Sequence, residues 1–135
     1  MRKICVITGS RAEYGLLKWV IEGINQNNNM ELILLAAGMH LSPEFGLTIN
    51  EIKDDGYKIT DEVEMLLSSD SSSSICKSVG LGLIGFSEKL KIYRPDIVVL
   101  LGDRYEVFSA AVAALISCIP IAHIHGGETT EGAID

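Results

Sequence analysis

The amino-acid sequence predicts a doubly wound α/β domain with about five parallel strands. Short β-branched apolar runs alternate with longer stretches of helical periodicity, which is typical of βαβ units around a parallel sheet. The chain has 135 residues, near the usual size of one domain, and no internal repeat is visible. We therefore expect a single Rossmann-like domain over residues 1–135.

Five strands are predicted from the apolar runs: Lys3–Thr8, Glu31–Ala37, Lys58–Val63, Asp96–Leu101 and Ile119–Ile124. The first helix follows the first strand, because apolar residues from Leu16 to Ile24 form the stripe of a helix packed on a sheet. The polar, turn-prone stretch Asn25–Asn29 ends that helix.

Three more helices complete the alternation: one near Leu47–Asp55, one from Ile75 to Leu90, and one that finishes over Ala110–Ser117. Asp55-Gly56 closes the first of these, and Arg94-Pro95 follows the second. The last is rich in alanine, and we expect it to be buried between layers. The serine-rich stretch Ser68–Ser74 suits either a loop or the N-cap region of the next helix.

Charge and composition exclude several classes of function. With 11 Lys+Arg against 18 Asp+Glu the net charge is −7, which argues against binding to nucleic acid or to an anionic membrane. The apolar runs fall short of the roughly 20 residues that span a bilayer, and no secretory signal opens the chain. The cysteines Cys5, Cys76 and Cys118 are widely spaced and odd in number, which indicates free thiols in a reducing cytoplasm.

Doubly wound sheets bind ligands beyond the carboxyl ends of their strands, and four polar, glycine-containing segments fall there. The first, Thr8–Gly15, offers Gly9, Ser10 and Arg11 at the start of a helix. Close backbone approach, free N–H groups and a guanidinium suit a phosphate or a diphosphate. The alternative is an ordinary turn in which Ser10 caps the helix and Arg11 lies on the surface.

The second and third segments follow the second and fourth strands. Gly38–Gly46 is a long loop in which His40 could contact a substrate, although a lone loop histidine is more often a surface residue. In Leu101–Glu106, Asp103 directly follows a strand and a glycine and is a candidate acid or base. Arg104 beside it suits a phosphate. Asp103 could equally cap the next helix.

The fourth segment, His123–Glu128, follows the fifth strand. Strand alternation would place His123 and His125 on one face, and the Gly-Gly turn would bring Glu128 close to them. These side chains suit metal-free acid–base chemistry, a metal site or a structural pair of histidines. The H-x-H spacing alone is weak evidence for zinc, so we assign no metal.

Taken together, the four segments resemble one enzyme family. The motifs G-S-R-A-E-Y-G, G-M-H-L-S-P-E-F-G, L-G-D-R-Y-E and H-I-H-G-G-E are similar, in this order, to those of the hydrolysing UDP-N-acetylglucosamine 2-epimerases. The resemblance covers the whole chain. It is strongest to the bacterial enzymes that make N-acetylmannosamine for sialic acid synthesis, and to relatives that act on diacetamido sugars in legionaminic acid synthesis.

The resemblance implies one half of a two-domain fold of the B-type glycosyltransferase kind, with the active site between the domains. The chain would then be an N-terminal domain without its C-terminal, UDP-binding domain, and its end at Gly132–Asp135 agrees with a fragment. Members tend to form homodimers through this domain and need no redox cofactor. We expect a folded domain with negligible turnover by itself, because half of the cleft is missing.

The implied reaction converts UDP-N-acetylglucosamine and water to UDP and N-acetylmannosamine. A base removes the C2 proton, UDP leaves C1 to give a glycal, and water then adds with inversion at C2. The resemblance places Arg11 against the diphosphate and Arg104 near the nucleotide. It makes Asp103 and Asp135 catalytic groups.

The remaining site residues follow from the same resemblance. Glu13 and His40 lie in matching loops and are expected near the sugar. His125 stands where many members have a catalytic glutamate, so either His125 or Glu128 is expected to take that role. Three other interpretations stay open: a non-hydrolysing epimerase or glycosyltransferase, a silent nucleotide-sugar-binding domain, and a metal-dependent hydrolase that uses His123, His125 and Asp103.

Overall fold

The computed structural model describes residues 1–42, 48–65 and 71–125. Its elements in chain order are β1 (Arg2–Thr8), α1 (Arg11–Gln26), β2 (Met30–Ala37), a 3₁₀ turn (Gly38–Leu41), α2 (Ile49–Asp54), β3 (Asp61–Val63), α3 (Ser72–Tyr93), β4 (Ile97–Leu101), α4 (Tyr105–Ile116) and β5 (Ile121–Ile124). The strand order is β3-β2-β1-β4-β5, and each neighbouring pair is parallel. The predicted doubly wound α/β class is therefore confirmed.

The five predicted strands are present, and three of them, β3, β4 and β5, are shorter than predicted, β4 by a single residue. β5 begins at Ile121 because Pro120 has no N–H to donate to the ladder, although its carbonyl accepts from Val98 N at 2.9 Å. β3 is an edge strand of three residues that pairs with the end of β2 over Leu35–Ala37. The central strands β1, β2 and β4 carry the core.

Alternate side chains of the strands pack on opposite faces of the sheet. Cys5 and Ile7 of β1 belong to a buried cluster with Phe86 of α3 and Ala110 of α4. Ile4 and Val6 point the other way, into a cluster that includes Tyr14, Leu17 and Ile21 of α1 and Ile52 of α2. Helices therefore cover both faces of the parallel sheet, as its apolar strands require.

The helix ends follow the capping residues. Ser71 caps α3, because its Oγ accepts from Ser74 N at 3.2 Å. The N-cap interpretation of the serine-rich stretch is therefore confirmed for this part of it. Residues 66–70 lie outside the described residues. α3 ends where Arg94 adopts a left-handed conformation, with φ of 46°, before Pro95.

The expectation that the alanine-rich helix is buried between layers is only half right. Ala110, Ala113 and Ala114 of α4 are buried against the sheet and α3. The other face of α4 exposes Phe108, Leu115 and Ile116. Only one stripe of a helix can face a sheet, and alanine marks that stripe here.

The cysteines are free thiols, as predicted. Cys5 is buried in β1, and burial raises the pKa of its thiol to about 12, whereas Cys76 and Cys118 are exposed. Within the part of the chain that the structure describes, no helix has the length and apolar character needed to cross a membrane.

Candidate active site

The first turn of α1 forms the floor of the candidate site. Ser10 is the N-cap residue, and its Oγ accepts from Glu13 N at 3.3 Å. Glu13 lies at the third helical position and reaches back, so that its Oε1 accepts from Gly9 N at 2.9 Å. This arrangement resembles a capping box, in which two side chains satisfy the free N–H groups of the helix start. The predicted capping by Ser10 is confirmed.

Glu106, in the first turn of α4, fills the space between two glycine-containing turns. It is 1% exposed. A Cβ at Gly9 would lie 2.9 Å from Glu106 Cβ, and a Cβ at Gly38 would lie 2.9 Å from Glu106 Cγ and Oε1. Gly38 also has a φ of 60°, which disfavours any other residue. The two glycines therefore bring the ends of β1 and β2 against this carboxyl group.

Arg104 holds the Glu106 carboxylate from the open side. Its Nε lies 3.2 Å from Glu106 Oε2 and its Nη2 lies 3.4 Å from Oε1, and its side chain is 42% exposed. The guanidinium therefore binds a buried carboxylate, while part of the Arg104 side chain reaches the surface. Arg104 thus links the buried group to the surface of the candidate site.

One electrostatic group consists of the two carboxyl groups of Glu13 and Glu106 and the guanidinium of Arg104. We call this group the acid pair with its arginine. Burial raises the pKa of Glu13 to about 7; the Gly9 N–H lowers it, the nearby Glu106 carboxyl raises it further, and Arg104 lowers it. Among the described residues, Glu13 Oε2 is a buried polar atom without a hydrogen-bond partner. A carboxyl group that holds its proton near neutral pH suits acid–base or hydrogen-bond-donor roles.

His40 lies in the interior, so the surface alternative for this residue is wrong. Its ring is fully buried, with Nε2 2.9 Å from Thr8 Oγ1 and Nδ1 2.7 Å from Thr48 Oγ1. The Thr8 hydroxyl donates to Ser10 O at 3.4 Å, which leaves its oxygen to accept from Nε2–H. Burial lowers the pKa of His40 to about 4, so the neutral ring ties the end of β1 to the start of α2.

Arg11 lies on the surface, as its alternative interpretation held. Its side chain is 74% exposed, and its Nε is 3.1 Å from Glu51 Oε2 of α2. It is therefore close to the start of α1 but outside the acid pair with its arginine. An exposed ion pair of this kind costs little to exchange for a ligand phosphate.

Asp103 does not cap α4. The N-cap residue is Arg104, in an extended conformation, and no side chain provides the cap hydrogen bond. Asp103 is exposed. In the chain it stands between Gly102, whose φ is 85°, and Arg104. The His123 ring donates from Nε2 to Gly102 O at 2.5 Å, and Gly102 N donates to Ile124 O at 3.1 Å. These two hydrogen bonds hold Gly102 in place, and Asp103 is the next residue in the chain.

The expected alignment of the two histidines is wrong. β5 ends at Ile124, and His125 adopts a left-handed conformation with φ of 59°, so strand alternation does not extend to it. His125 is exposed. Glu128 and Asp135 lie outside the described residues. Within the described ranges, no group of three or more His, Cys, Asp or Glu could hold a metal ion, so His123, His125 and Asp103 do not form one there.

Sequence reasoning missed Glu106 as a site residue, although its motif was singled out. The available signal was its position in the first turn of a helix that follows Gly102-Asp103. A glutamate at that position is usually explained by the helix dipole alone. What distinguishes Glu106 is its contact with Gly9 and Gly38, which are distant in sequence.

Comparisons with known proteins add to this geometry. The chain matches the UDP-N-acetylglucosamine 2-epimerase family over residues 22–135. It belongs to that family. It is 46% identical over 99% of its length to the GDP/UDP-N,N'-diacetylbacillosamine 2-epimerase (hydrolyzing) of Campylobacter jejuni. It is 42% identical over its whole length to the UDP-N,N'-diacetylbacillosamine 2-epimerase (hydrolyzing) of Legionella pneumophila.

The chain spans about a third of the length of these family members, 35% and 36% respectively. It also superposes on the crystal structure of the UDP-GlcNAc 2-epimerase from Neisseria meningitidis bound to UDP-GlcNAc, with a TM-score of 0.82 and 20% identity. That superposition covers 96% of this chain and 34% of the other. At this identity the likeness supports the fold, which is that of one part of these epimerases.

Proposed function

We propose that this chain is the N-terminal part of a hydrolysing UDP-sugar 2-epimerase. The observation that carries the proposal is the acid pair with its arginine, at the carboxyl end of the sheet of a chain that belongs to this family. A guanidinium and a helix N-terminus are groups that stabilise a departing diphosphate. They meet where ligands of doubly wound sheets bind.

The proposed substrate is a UDP-2,4-diacetamido sugar. Two relatives with more than 40% identity carry names that specify N,N'-diacetylbacillosamine and hydrolysis, with GDP/UDP as the nucleotide in one name and UDP in the other. UDP-N-acetylglucosamine, the substrate implied by the sequence resemblance together with its N-acetylmannosamine product, is the second candidate. Both sugars carry the acetamido group at C2, so the same chemistry applies to either one.

The proposed chemistry is an elimination, which removes one proton and UDP, followed by a hydration, which adds OH and one proton. A base takes the C2 proton while the C1–oxygen bond to UDP breaks, which gives a glycal with a C1–C2 double bond. Water then supplies OH to C1 and an acid returns a proton to C2 on the opposite face, so the sugar is released free and inverted at C2. Asp103 is the proposed acid–base group of the described region, because it is exposed directly after β4.

Four further residues have proposed roles in this reaction. We propose His125 or Glu128 as the second proton-transfer group and Asp135 as the third, on the basis of the family resemblance. Arg11 would leave Glu51 to bind the diphosphate, since its present ion pair is exposed. The nucleotide contacts of a complete cleft would come from the remainder of a family-length protein.

The test is proton NMR of the full-length protein that carries this domain, in deuterium oxide, with each UDP-sugar in turn. The proposal expects free UDP together with a free sugar that is inverted and deuterated at C2. A UDP-linked epimer would instead indicate a non-hydrolysing enzyme. Faster turnover of UDP-N-acetylglucosamine than of the diacetamido sugar would overturn the substrate assignment.

The role of Asp103 is tested with a matched pair of substitutions at the two ends of β4. Asp103→Asn should lower kcat by ~10²–10⁴-fold, the usual contribution of a general acid or base. Asp96→Asn, at the amino end, should leave kcat unchanged, because its side chain contacts the backbone N of Lys3 instead. Equal rates for the two variants would favour a silent nucleotide-sugar-binding domain.

A further inference from the structure

The Asp103 carboxylate depends on its backbone for its position. Asp103 is exposed, and within the described ranges its side chain has no hydrogen bond or ion pair. A group that transfers a proton must nevertheless be held to within about 0.5 Å of its working position. The chain on the two sides of Asp103 therefore has to provide that restraint.

The residue after Asp103 is held by α4. Arg104 is the N-cap residue of this helix, and its carbonyl accepts from Phe108 N at 3.0 Å. The Arg104 side chain is also held, because its Nε lies 3.2 Å from Oε2 of the buried Glu106. The chain is thus anchored immediately after Asp103.

The residue before Asp103 is a glycine that packing does not restrain. Gly102 has a φ of 85°, and a Cβ placed on it would meet nothing within 4 Å. Its N–H donates to Ile124 O at 3.1 Å, which continues the pairing of β4 with β5. That bond holds the peptide unit on the amino side of Gly102. Rotation about the ψ angle of Gly102 would still turn the next peptide unit, and Asp103 with it, unless a second contact prevents this.

The His123 side chain provides that second contact. His123 pairs with Leu100 in the β4–β5 register, and its Nε2 donates to Gly102 O at 2.5 Å. The Gly102 carbonyl and Asp103 Cα belong to one planar peptide unit, so holding the oxygen also holds Asp103 Cα. Nε2 carries a hydrogen in one neutral tautomer and in the cation, so the contact can persist when His123 gains a proton.

We propose that His123 is a positioning residue for Asp103, because it fixes the Gly102–Asp103 peptide unit and thereby the place of the Asp103 carboxylate beside the sugar. This inference rests on the proposed function, which makes Asp103 an acid–base group. His123 acts through the backbone and exchanges no proton with the substrate. Its removal should therefore impair proton transfer more than substrate binding.

The main experiment is a double-mutant cycle on kcat of the full-length protein, with UDP release and free sugar as the signals. His123→Phe keeps a planar ring and loses the donor, so kcat should fall ~10–100-fold, the usual effect of a misplaced reacting group. KM should change by less than about twofold, since the binding groups stay in place. In an Asp103→Asn background the same substitution should change kcat by less than about twofold, because no acid–base group is left to position.

A conservative variant and a matched control accompany the cycle. His123→Gln retains an N–H donor, so it should recover most of the lost kcat and keep the pH dependence of the wild type. Asp96→Ala removes another exposed hydrogen bond between a side chain and the backbone, at the amino end of β4, and should leave kcat unchanged. Urea denaturation should show similar stability for His123→Phe and Asp96→Ala, which separates positioning from a general loss of structure.

NMR tests the contact without reference to activity. Gly-Asp occurs once in these 135 residues, so labelling glycine carbonyl carbon and aspartate nitrogen marks the Gly102–Asp103 peptide unit. Its signal in the full-length protein is the one that Asp103→Asn lacks. The signal should move in His123→Phe, which keeps a ring at this position, and stay in place in Asp96→Ala. A signal unchanged by His123→Phe would overturn the inference.

The kinetic outcomes separate this inference from the proposed function. An equal loss of kcat from His123→Phe in both backgrounds would show that His123 acts independently of Asp103, and would overturn the inference. Wild-type kcat in His123→Phe, or the loss of one limb of the pH profile in His123→Gln, would overturn it as well. Each of these results leaves the proposed function intact. A wild type that releases neither UDP nor free sugar would overturn the proposed function and this inference with it.

Discussion

The two ends of the parallel sheet differ in how they treat polar groups. Among the described residues, the buried polar side chains at the carboxyl end are those of Thr8, Ser10, Glu13, His40 and Glu106. The other buried ones, Ser78 and Ser109, lie on α3 and α4. At the amino end the Asp96 carboxylate accepts from Lys3 N at 2.8 Å in an exposed position. Since burial of polar groups destabilises a fold, their concentration at one end indicates a function there.

An open volume does not by itself identify a functional site. A cavity of about 540 Å³ opens at the amino end, beside Lys3, Glu31 and Lys58. The charged side chains there are exposed, so water satisfies them and no ligand is needed. The concentration of buried polar groups is therefore a stronger sign of a site than an open volume is.

The largest expected effect is that of Gly38→Ala at the carboxyl end. The new Cβ would lie 2.9 Å from Glu106, at a φ of 60°. Left-handed strain and overpacking together should reduce the free energy of unfolding by about 3–4 kcal/mol, measured by urea denaturation.

Two other glycines are matched controls for that measurement. Gly56→Ala has a φ of 91° and nothing within 4 Å, so it should show the strain alone, about 1–2 kcal/mol. Gly80→Ala lies within α3 with nothing within 4 Å and should stabilise by about 0.5–1 kcal/mol. Equal losses for Gly38→Ala and Gly56→Ala would show that contact with Glu106 does not matter.

Glu13 should make the fold less stable as pH rises. Its pKa in the folded chain is about 7 against 4.5 for the free group, so the folded state binds more protons between these values. The resulting stability is complete below pH 4.5 and is lost as pH rises to 7, by roughly 3 kcal/mol. The difference in unfolding free energy between wild type and Glu13→Gln should follow this course. A difference that does not vary with pH would show that folding does not raise the pKa of Glu13.

His40 should produce the opposite slope with a similar size. Its pKa in the folded chain is about 4 against 6.5, so the unfolded chain binds more protons between these values. The stability is complete above pH 6.5 and is lost as pH falls to 4, by roughly 3 kcal/mol. The wild-type minus His40→Gln difference should therefore rise with pH. Between pH 4.5 and pH 6.5 the two slopes oppose each other, so the wild type alone would hide both.

Much of the fold could be predicted from the sequence because its signals are local. Apolar periodicity identified the strands and helices, and Ser10 and the Arg94-Pro95 pair marked helix ends. The errors came from interactions that the local pattern does not contain. Pro120 shortened β5 through one missing N–H, and the turn at His125 ended the alternation that would have aligned it with His123.

The candidate site was predicted only in part, for the same physical reason. Gly9, Ser10 and Arg104 lie within three residues of a strand end, so their place at the carboxyl end could be predicted from position alone. The burial of His40 depends on Thr8 and Thr48, which approach it from different elements. The role of Glu106 depends on two glycines that are distant in sequence. Contacts of this kind exist only after the strands have been ordered side by side.

The smallest expected effect is at the amino end, where the polar contact is exposed. Asp96→Ala removes the acceptor for Lys3 N and should cost about 0.5–1 kcal/mol, because water replaces an exposed hydrogen bond. Asp96→Asn retains an oxygen acceptor and should cost less than that. Urea denaturation measures both. A loss from Asp96→Ala as large as that from Gly38→Ala would show that the amino end is as tightly constrained as the carboxyl end. The difference between the two ends would then not identify the site.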